Sequence, residues 1–353
     1  MNATLNNITT NASVAAVPST ADWNYPAVSS LIWFILQLVL NVSMLLFLVR
    51  HKTLRTGFNV YLIGLLSTNV FFAVGVYPSE ILEALYGRWW MPRGTCSLFI
   101  YCIWVMAGVA MHMHVLITVN RLWALTFPLS YRNRHNTKVA CLLAVGMVAY
   151  VHIVCFPIFL IDELYYRPAP GEFGCYLNAA EQTVYALATD MVAFNLPVVI
   201  VLFSYPYILY KFLRRRRART AASTASPMPI DGSHNQANSN KIAPASSQPT
   251  TATSHKNDGS VRPFLILTLL TCSIAICWAP AQLYFTLDGF MEAGFMSVSS
   301  SLIQLKKAAL FLYPMQAILD PIVFALSLSN LRSVILKWWD KSAAPRGRAL
   351  MAP

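Results

Sequence analysis

The sequence predicts an all-α membrane protein: a seven-transmembrane helix bundle followed by a short amphipathic surface helix. Three observations predict it. Of 353 residues, 56% are hydrophobic and only 11% charged, against about a quarter charged in soluble domains. So few charges cannot cover a water-soluble globule, which makes the lipid bilayer the solvent for most of the chain. Seven apolar runs are each long enough to cross a bilayer as a helix, for which about 20 residues suffice. The basic residues gather in every second connection between those runs, the pattern that sets orientation in membranes. That placement accounts for the net charge of +12 without a nucleic-acid groove, so no nucleic-acid partner is expected.

The elements follow in order. Residues 1–27 form a polar arm rich in Asn, Thr, Ser and Ala, with no basic stretch leading into an apolar run, so a cleaved signal peptide is not expected. Asn2, Asn7 and Asn11 each open an Asn-x-Ser/Thr sequon. Three sequons within a dozen residues predict a glycosylated extracellular arm. A transmembrane domain spans 28–328, with helices expected over 28–49, 59–85, 96–125, 138–161, 182–212, 262–287 and 301–328. The first, third and fifth connections carry Arg50, Lys52 and Arg55, then Arg132, Arg134 and Lys138, then Lys211 and Arg214–Arg217. The other connections are mixed or acidic, with Glu163, Glu172 and Asp288 among them. Basic connections face the cytoplasm, so the N-terminus lies outside a multi-pass plasma-membrane protein. The sequons give the same orientation independently.

Inside this domain, residues 220–259 are rich in Ala, Ser, Thr, Pro, Asn and Gln without periodicity. They cannot bury a core and are expected to form a disordered cytoplasmic loop. Residues 329–353 form a cytoplasmic helix and tail. Leu331, Val334, Ile335, Trp338 and Trp339 fall at helical spacing, which predicts a helix lying on the membrane with its tryptophans at headgroup depth. Cys102, Cys141, Cys155, Cys272 and Cys277 lie in apolar runs and are expected to be small buried hydrophobes. No cysteine spacing resembles a metal site.

Short motifs lie in these helices in a fixed order. Asn41 is in the first. Asn120-Arg121-Leu122 ends the third and leads to Pro128. Phe194-Asn195-Leu196-Pro197 precedes Tyr205 in the fifth. Cys277-Trp278-Ala279-Pro280 lies in the sixth, and Asp320-Pro321-Ile322-Val323-Phe324 in the seventh. Taken singly, each has an ordinary reading: an Arg snorkels at a helix end, and a Pro kinks a membrane helix. Together, from Asn41 to Trp339, they resemble the rhodopsin-like (class A) G-protein-coupled receptors.

The resemblance implies a receptor and no enzyme or cofactor. It would bind an extracellular peptide or small molecule and activate a heterotrimeric G protein, with arrestin and receptor kinase as further partners. It implies that Asn120, Arg121, Tyr205, Trp278, Pro280, Asp320, Pro321 and Phe324 form the switch and the G-protein face. It also implies a disulfide between Cys96 and Cys175 at the oxidising side, with Trp89 seven residues before Cys96 as a further shared feature. The chain departs from the family pattern in places. Asn120 stands where an acid is usual and Phe324 where a Tyr is usual. The middle of the fourth helix, Val145–Val148, has no Trp.

Other readings make different demands. An opsin needs a retinal-binding lysine where this chain has Pro314, and a monoamine receptor needs an Asp where it has Ile103. A seven-helix transporter or channel, the alternative of another class, would show internal repeats or a charged path. An intramembrane enzyme needs a catalytic cluster at depth, and His112 and His114 are too close in sequence to share a helix face.

Two finer expectations concern polar residues in the bundle. The family usually has an acid in the second helix and an amide opening the seventh-helix motif. Here Asn69 and Asp320 appear exchanged, which predicts a core polar network of Asn41, Asn69 and Asp320, with Asp320 donating to one of the amides. Ala110 stands where the family often offers a hydroxyl to sodium, so sodium is not expected. Glu80, Trp104, Asp190, Gln282, Tyr284, Phe285 and Tyr313 are the expected ligand-pocket residues. Glu80 and Asp190 there suit a cationic ligand. Equally, they could pair with Lys306, Lys307 or Arg88, or lie exposed at the headgroups.

Overall fold

A computed structural model describes residues 20–224, 258–292, 294–295, 300–327, 331–334 and 336. Its helices form one bundle. We label the spans α1 (Tyr25–Arg50), α2 (Gly57–Tyr86), α3 (Arg93–Thr126), α4 (Thr137–Tyr166) and α5 (Ala180–Arg214). The helix of α5 runs on to Thr224. Two further spans complete the set: α6 (Asp258–Cys277 and Ala279–Glu292, with a turn at Trp278) and the broken α7 (Ser300–Leu312 and Met315–Ser327), whose halves meet at 44°. The chain is a multi-pass membrane protein. Large apolar side chains such as Phe71, Leu142, Ile153 and Phe203 point outward, each more than 65% exposed, as a lipid solvent requires.

Local chemistry sets the helix ends. The Asn24 carboxamide oxygen accepts from the Ala27 amide at 3.0 Å, and Pro26 occupies the first turn, where no amide is needed. Asn24 Nδ2 also donates to the Ala84 carbonyl, fastening the start of α1 to the end of α2. Thr56 and Asn136 cap α2 and α4 in the same way. Gly87 ends α2 with φ +67°, a left-handed turn in which a side chain would be strained. Further along α2, a Cβ on Gly75 would fall 2.3 Å from Cys102 Sγ, so glycine lets α2 and α3 approach closely.

α3 is the central span: 78% of its apolar window is buried, against 17% for α4. α3, α4 and α5 each contain one π-helical turn, at Cys102–Met106, Asp162–Tyr166 and Met191–Asn195. Trp278 stands between the halves of α6 as a turn, and Tyr313 and Pro314 stand between those of α7.

Several boundaries differ from expectation. α1 begins at Tyr25, inside the arm assigned to residues 1–27, because Asn24 supplies the cap. Thr220–Thr224 and Asp258–Gly259 are helical, so both ends of the segment expected to lack structure belong to α5 and α6. Arginine and alanine favour such extensions. Cys141 and Cys272 are exposed rather than buried, since their helices turn those faces outward. Of the surface helix, 331–334 is helical and Leu331 is fully buried. Trp338, Trp339 and the sequons at Asn2, Asn7 and Asn11 lie outside the described residues, as does most of the segment 220–259.

Candidate functional site

At one end of the bundle Cys96 and Cys175 form a disulfide, as the resemblance implied. It ties the α4–α5 connection to the start of α3. Polar contacts reinforce the tie. Buried Arg167 donates to Asp162 from Nε at 2.7 Å and to Ser97 Oγ from Nη1 at 2.7 Å. Asp162 also accepts from the Asn178 amide at 2.9 Å.

Beneath this strap opens a cavity of about 850 Å³. Its walls come from α1, α2, α3, α5, α6 and α7. Six of the seven expected pocket residues line it: Glu80, Trp104, Asp190, Gln282, Phe285 and Tyr313. Tyr284 does not. It is buried against Ala281 and Ala309, with Lys306 Nζ 5.8 Å from its ring centroid. Helix geometry explains the correction: Phe285 is three residues from Gln282 and shares its face, whereas Tyr284 is two residues away and points elsewhere. A second cavity of about 270 Å³ adjoins the first, sharing Phe99, Ile103, Trp104, Asp190 and Phe285.

Asp190 is buried where the two cavities meet. Gln282 Nε2 donates to Oδ1 at 2.7 Å. Thr286 Oγ1 and Asn195 Nδ2 donate to Oδ2 at 3.0 and 2.8 Å. All three partners are neutral. Among the described residues no Lys, Arg or His forms an ion pair with it, which removes the expected alternative of a lysine partner.

Trp278 and Tyr313 help to line the cavity, their rings 5.1 Å apart. Below them is the polar core. Asn69 Nδ2 donates to Asn41 Oδ1 and to Asp320 Oδ2, both at 3.1 Å. Asn41 Nδ2 donates to the Ala317 carbonyl at 2.8 Å, joining α1 to α7. The three expected residues are therefore in contact, but sequence reasoning missed two strong partners. His114 Nε2 lies 3.0 Å from Asp320 Oδ1, and Gln316 Nε2 donates to the same oxygen at 2.8 Å. His114 Nδ1 faces the Ala110 carbonyl at 2.8 Å, so it must carry a hydrogen. The expectation that Asp320 donates to an amide is corrected: Asp320 accepts from Asn69 through Oδ2, while Oδ1 faces the His114 imidazole and the Gln316 amide. A helical signal was available for Gln316, one turn before Asp320.

At the opposite end, the Arg121 guanidinium lies 3.4 Å above the Phe58 ring centroid and forms no ion pair among the described residues. Asn120, in the usual acid's place, accepts from Tyr131 Oη at 3.1 Å. Tyr131 stacks on His135 with centroids 4.6 Å apart. Burial, and then the charge of Arg121, lower the His135 pKa below its ordinary value. Tyr205 Oη donates to Thr268 Oγ1 at 3.4 Å. Pro280 lies in the first turn after Trp278, and Pro321 and Phe324 are buried in α7.

A membrane-spanning helix bundle with a strapped cavity at one end and a helix-end arginine at the other defines a receptor-like class of protein. The sequence profile of the 7 transmembrane receptor (rhodopsin family) matches residues 40–324, and the chain belongs to that family. Similar proteins include a Dopamine D2-like receptor of Drosophila melanogaster, 26% identical over 202 residues that cover 57% of this chain and 22% of that protein. The human Melatonin receptor type 1B is 22% identical over 264 residues, 73% of this chain and 63% of that protein. The human Muscarinic acetylcholine receptor M1 is 25% identical over 200 residues, 54% of this chain and 42% of that protein. The match thus spans less than two thirds of each relative.

Proposed function

We propose that the protein is a plasma-membrane receptor that binds an extracellular ligand in the large cavity and activates a heterotrimeric G protein at the Arg121 end. The observation that carries this reading is the position of Trp278. It lines the cavity and forms the one-residue turn in α6 two residues before Pro280. A ligand that prefers one packing of this ring shifts the population of bundle states toward it. Pro280, lacking an amide hydrogen, keeps the helix weak at that point.

In this reading Trp278, Pro280, Asp320 and Pro321 link the cavity to the far end. Asn120, Arg121, Tyr205 and Phe324 shape the surface that receives the G protein, and the neighbouring basic loops attract it. The N-terminal arm is extracellular and glycosylated at Asn2, Asn7 and Asn11. Arrestin and a receptor kinase act on the same cytoplasmic face after activation.

Recruitment of Gα subunits to the full-length receptor in cells, read by luminescence complementation, tests this. At high expression, recruitment above background is expected for at least one Gα class. Arg121→Ala should reduce it about tenfold or more while surface level is unchanged, as loss of a buried charged contact implies. Equal recruitment by the variant, or background recruitment for every class, would refute the reading.

A further inference from the structure

Among the described residues, the two joined cavities are lined by three carboxylates, Glu80, Asp190 and Asp288, and by one cationic side chain, Lys307. Of the three, Asp190 is the one held in place by its neighbours. Oδ2 receives two hydrogen bonds, from Thr286 and Asn195, while Oδ1 receives one, from Gln282. A carboxylate offers about four lone-pair sites, two on each oxygen. Oδ2 is therefore filled and Oδ1 retains one place. The residue is only 8% exposed and lines both cavities.

Burying a carboxylate is costly unless it is hydrogen-bonded and paired with opposite charge. The three donors meet the first need and, being neutral, leave the second unmet. They also fix the rotamer, so a ligand need not organise the group on arrival. The surrounding surface suits a cation. Trp104, Phe194 and Phe285 line the same cavity as Asp190, and the Trp104 and Phe194 rings meet edge to face at 5.8 Å. Aromatic faces attract organic cations most strongly where water is excluded.

We propose that Asp190 is the anchor for an organic ammonium group, and that ligands of this receptor carry a protonated amine next to an aromatic or other apolar body. This rests on the reading of the large cavity as the ligand site. The amine donates one N–H to the open lone pair of Oδ1, and its substituents pack on Trp104 and Phe285. Gln282, Thr286 and Asn195 act as positioning residues. Ligands of the opposite charge are disfavoured at the same point, because a second anion would meet Asp190 without a neutralising partner.

The test uses the purified full-length receptor in detergent and reads its thermal midpoint with 2-phenylethylammonium, with its N-trimethyl derivative and with 2-phenylethanol as the neutral match. The primary ammonium is expected to raise the midpoint in a saturable way, the trimethyl compound less so because it has no N–H to donate, and the alcohol not at all. This comparison on the wild-type chain does not depend on any variant folding. Asp190→Asn should weaken the apparent affinity for the primary ammonium about tenfold or more, the usual size for a charge-assisted hydrogen bond. Asp190→Glu should recover part of it. Equal shifts by ammonium and alcohol, equal affinity in Asp190→Asn, or no shift with either ammonium at millimolar concentration would overturn the proposal. In the wild-type chain, background recruitment of every Gα class with an intact ammonium shift would refute the receptor reading alone, and recruitment without any ammonium shift would refute the ammonium site alone.

Discussion

Asp320 and Asp190 are both carboxylates buried between helices, and their surroundings differ in one respect. Each accepts hydrogen bonds from neutral side chains, Asn69 and Gln316 at Asp320, and Gln282, Thr286 and Asn195 at Asp190. Asp320 also has an imidazole, His114, with both side chains 1% exposed. Asp190 has no cationic partner among the described residues and borders open space. A carboxylate closed off with an internal partner holds α3, α7 and, through Asn69, α2 together. A carboxylate left open at one lone pair is arranged for a visitor. The same residue type therefore serves as a joint in one place and as a receptor group in the other, and the partner inventory decides which.

The difference can be broken by mutation. The largest expected effect is at Asp320. Asp320→Ala strands His114 and Asn69 and should destabilise the bundle by about 3–5 kcal/mol, the usual cost of breaking a buried pair. Removing both partners in His114→Leu/Asp320→Leu should cost clearly less than the sum of the single changes, measured by thermal midpoint in detergent. An additive double variant would mean that the two groups are not coupled.

A smaller effect tests the exchange of acid and amide. Asn69→Asp with Asp320→Asn keeps one carboxylate facing one amide but moves the charge away from the oxygen bonded to His114. The cycle should show a favourable coupling of about 0.5–3 kcal/mol, with incomplete recovery. Full recovery would show that His114 contributes nothing at that position, and no coupling would make the exchange accidental. The smallest effect is expected at Asp190. Asp190→Asn should cost about 1 kcal/mol in the ligand-free protein, because its neutral donors can reorient around an amide. A loss as large as that of Asp320→Ala would erase the contrast between the two sites.

Much of this arrangement was legible in the sequence. Run length and loop charge located the spans, because a bilayer constrains every span in the same way. The motif residues placed Asn41, Asn69 and Asp320 in one network. His114 carries no such signal, because its nearest sequence partner, His112, lies on another face of the same helix. Two residues apart on a helix, they point in different directions, yet His114 alone could still meet Asp320 from another helix. The aromatic character of Tyr284 suits a cavity wall, but its helix phase turns it toward Ala309. The turn at Trp278 was legible in the Cys-Trp-Ala-Pro motif, since a membrane-helix proline often only bends its helix, but the break at Tyr313–Pro314 was not, because Pro314 stood out only as the residue at the retinal-lysine position. The neutral cradle of Asp190 was out of reach, because Gln282 and Thr286 lie some ninety residues away in sequence and no local pattern joins them.

The π-helical turn at Met191–Asn195 carries a consequence for how this cavity came to have its chemistry. Such a turn accommodates one residue more than an α-helical turn. Asp190 immediately precedes it and Pro197 follows it. Taking one residue out of that turn would leave α5 continuous and apolar, yet rotate everything before it by about 100° relative to everything after it. Asp190 would swing away from Gln282 and Thr286, and a neighbour would replace it at the cavity wall. A single-codon deletion would therefore change which ligands the protein accepts by changing which residue faces the cavity, without substituting any residue. The wide turn at Cys102–Met106 gives α3, which also lines the cavity, the same freedom, so specificity here depends on the length of a helix as much as on its composition.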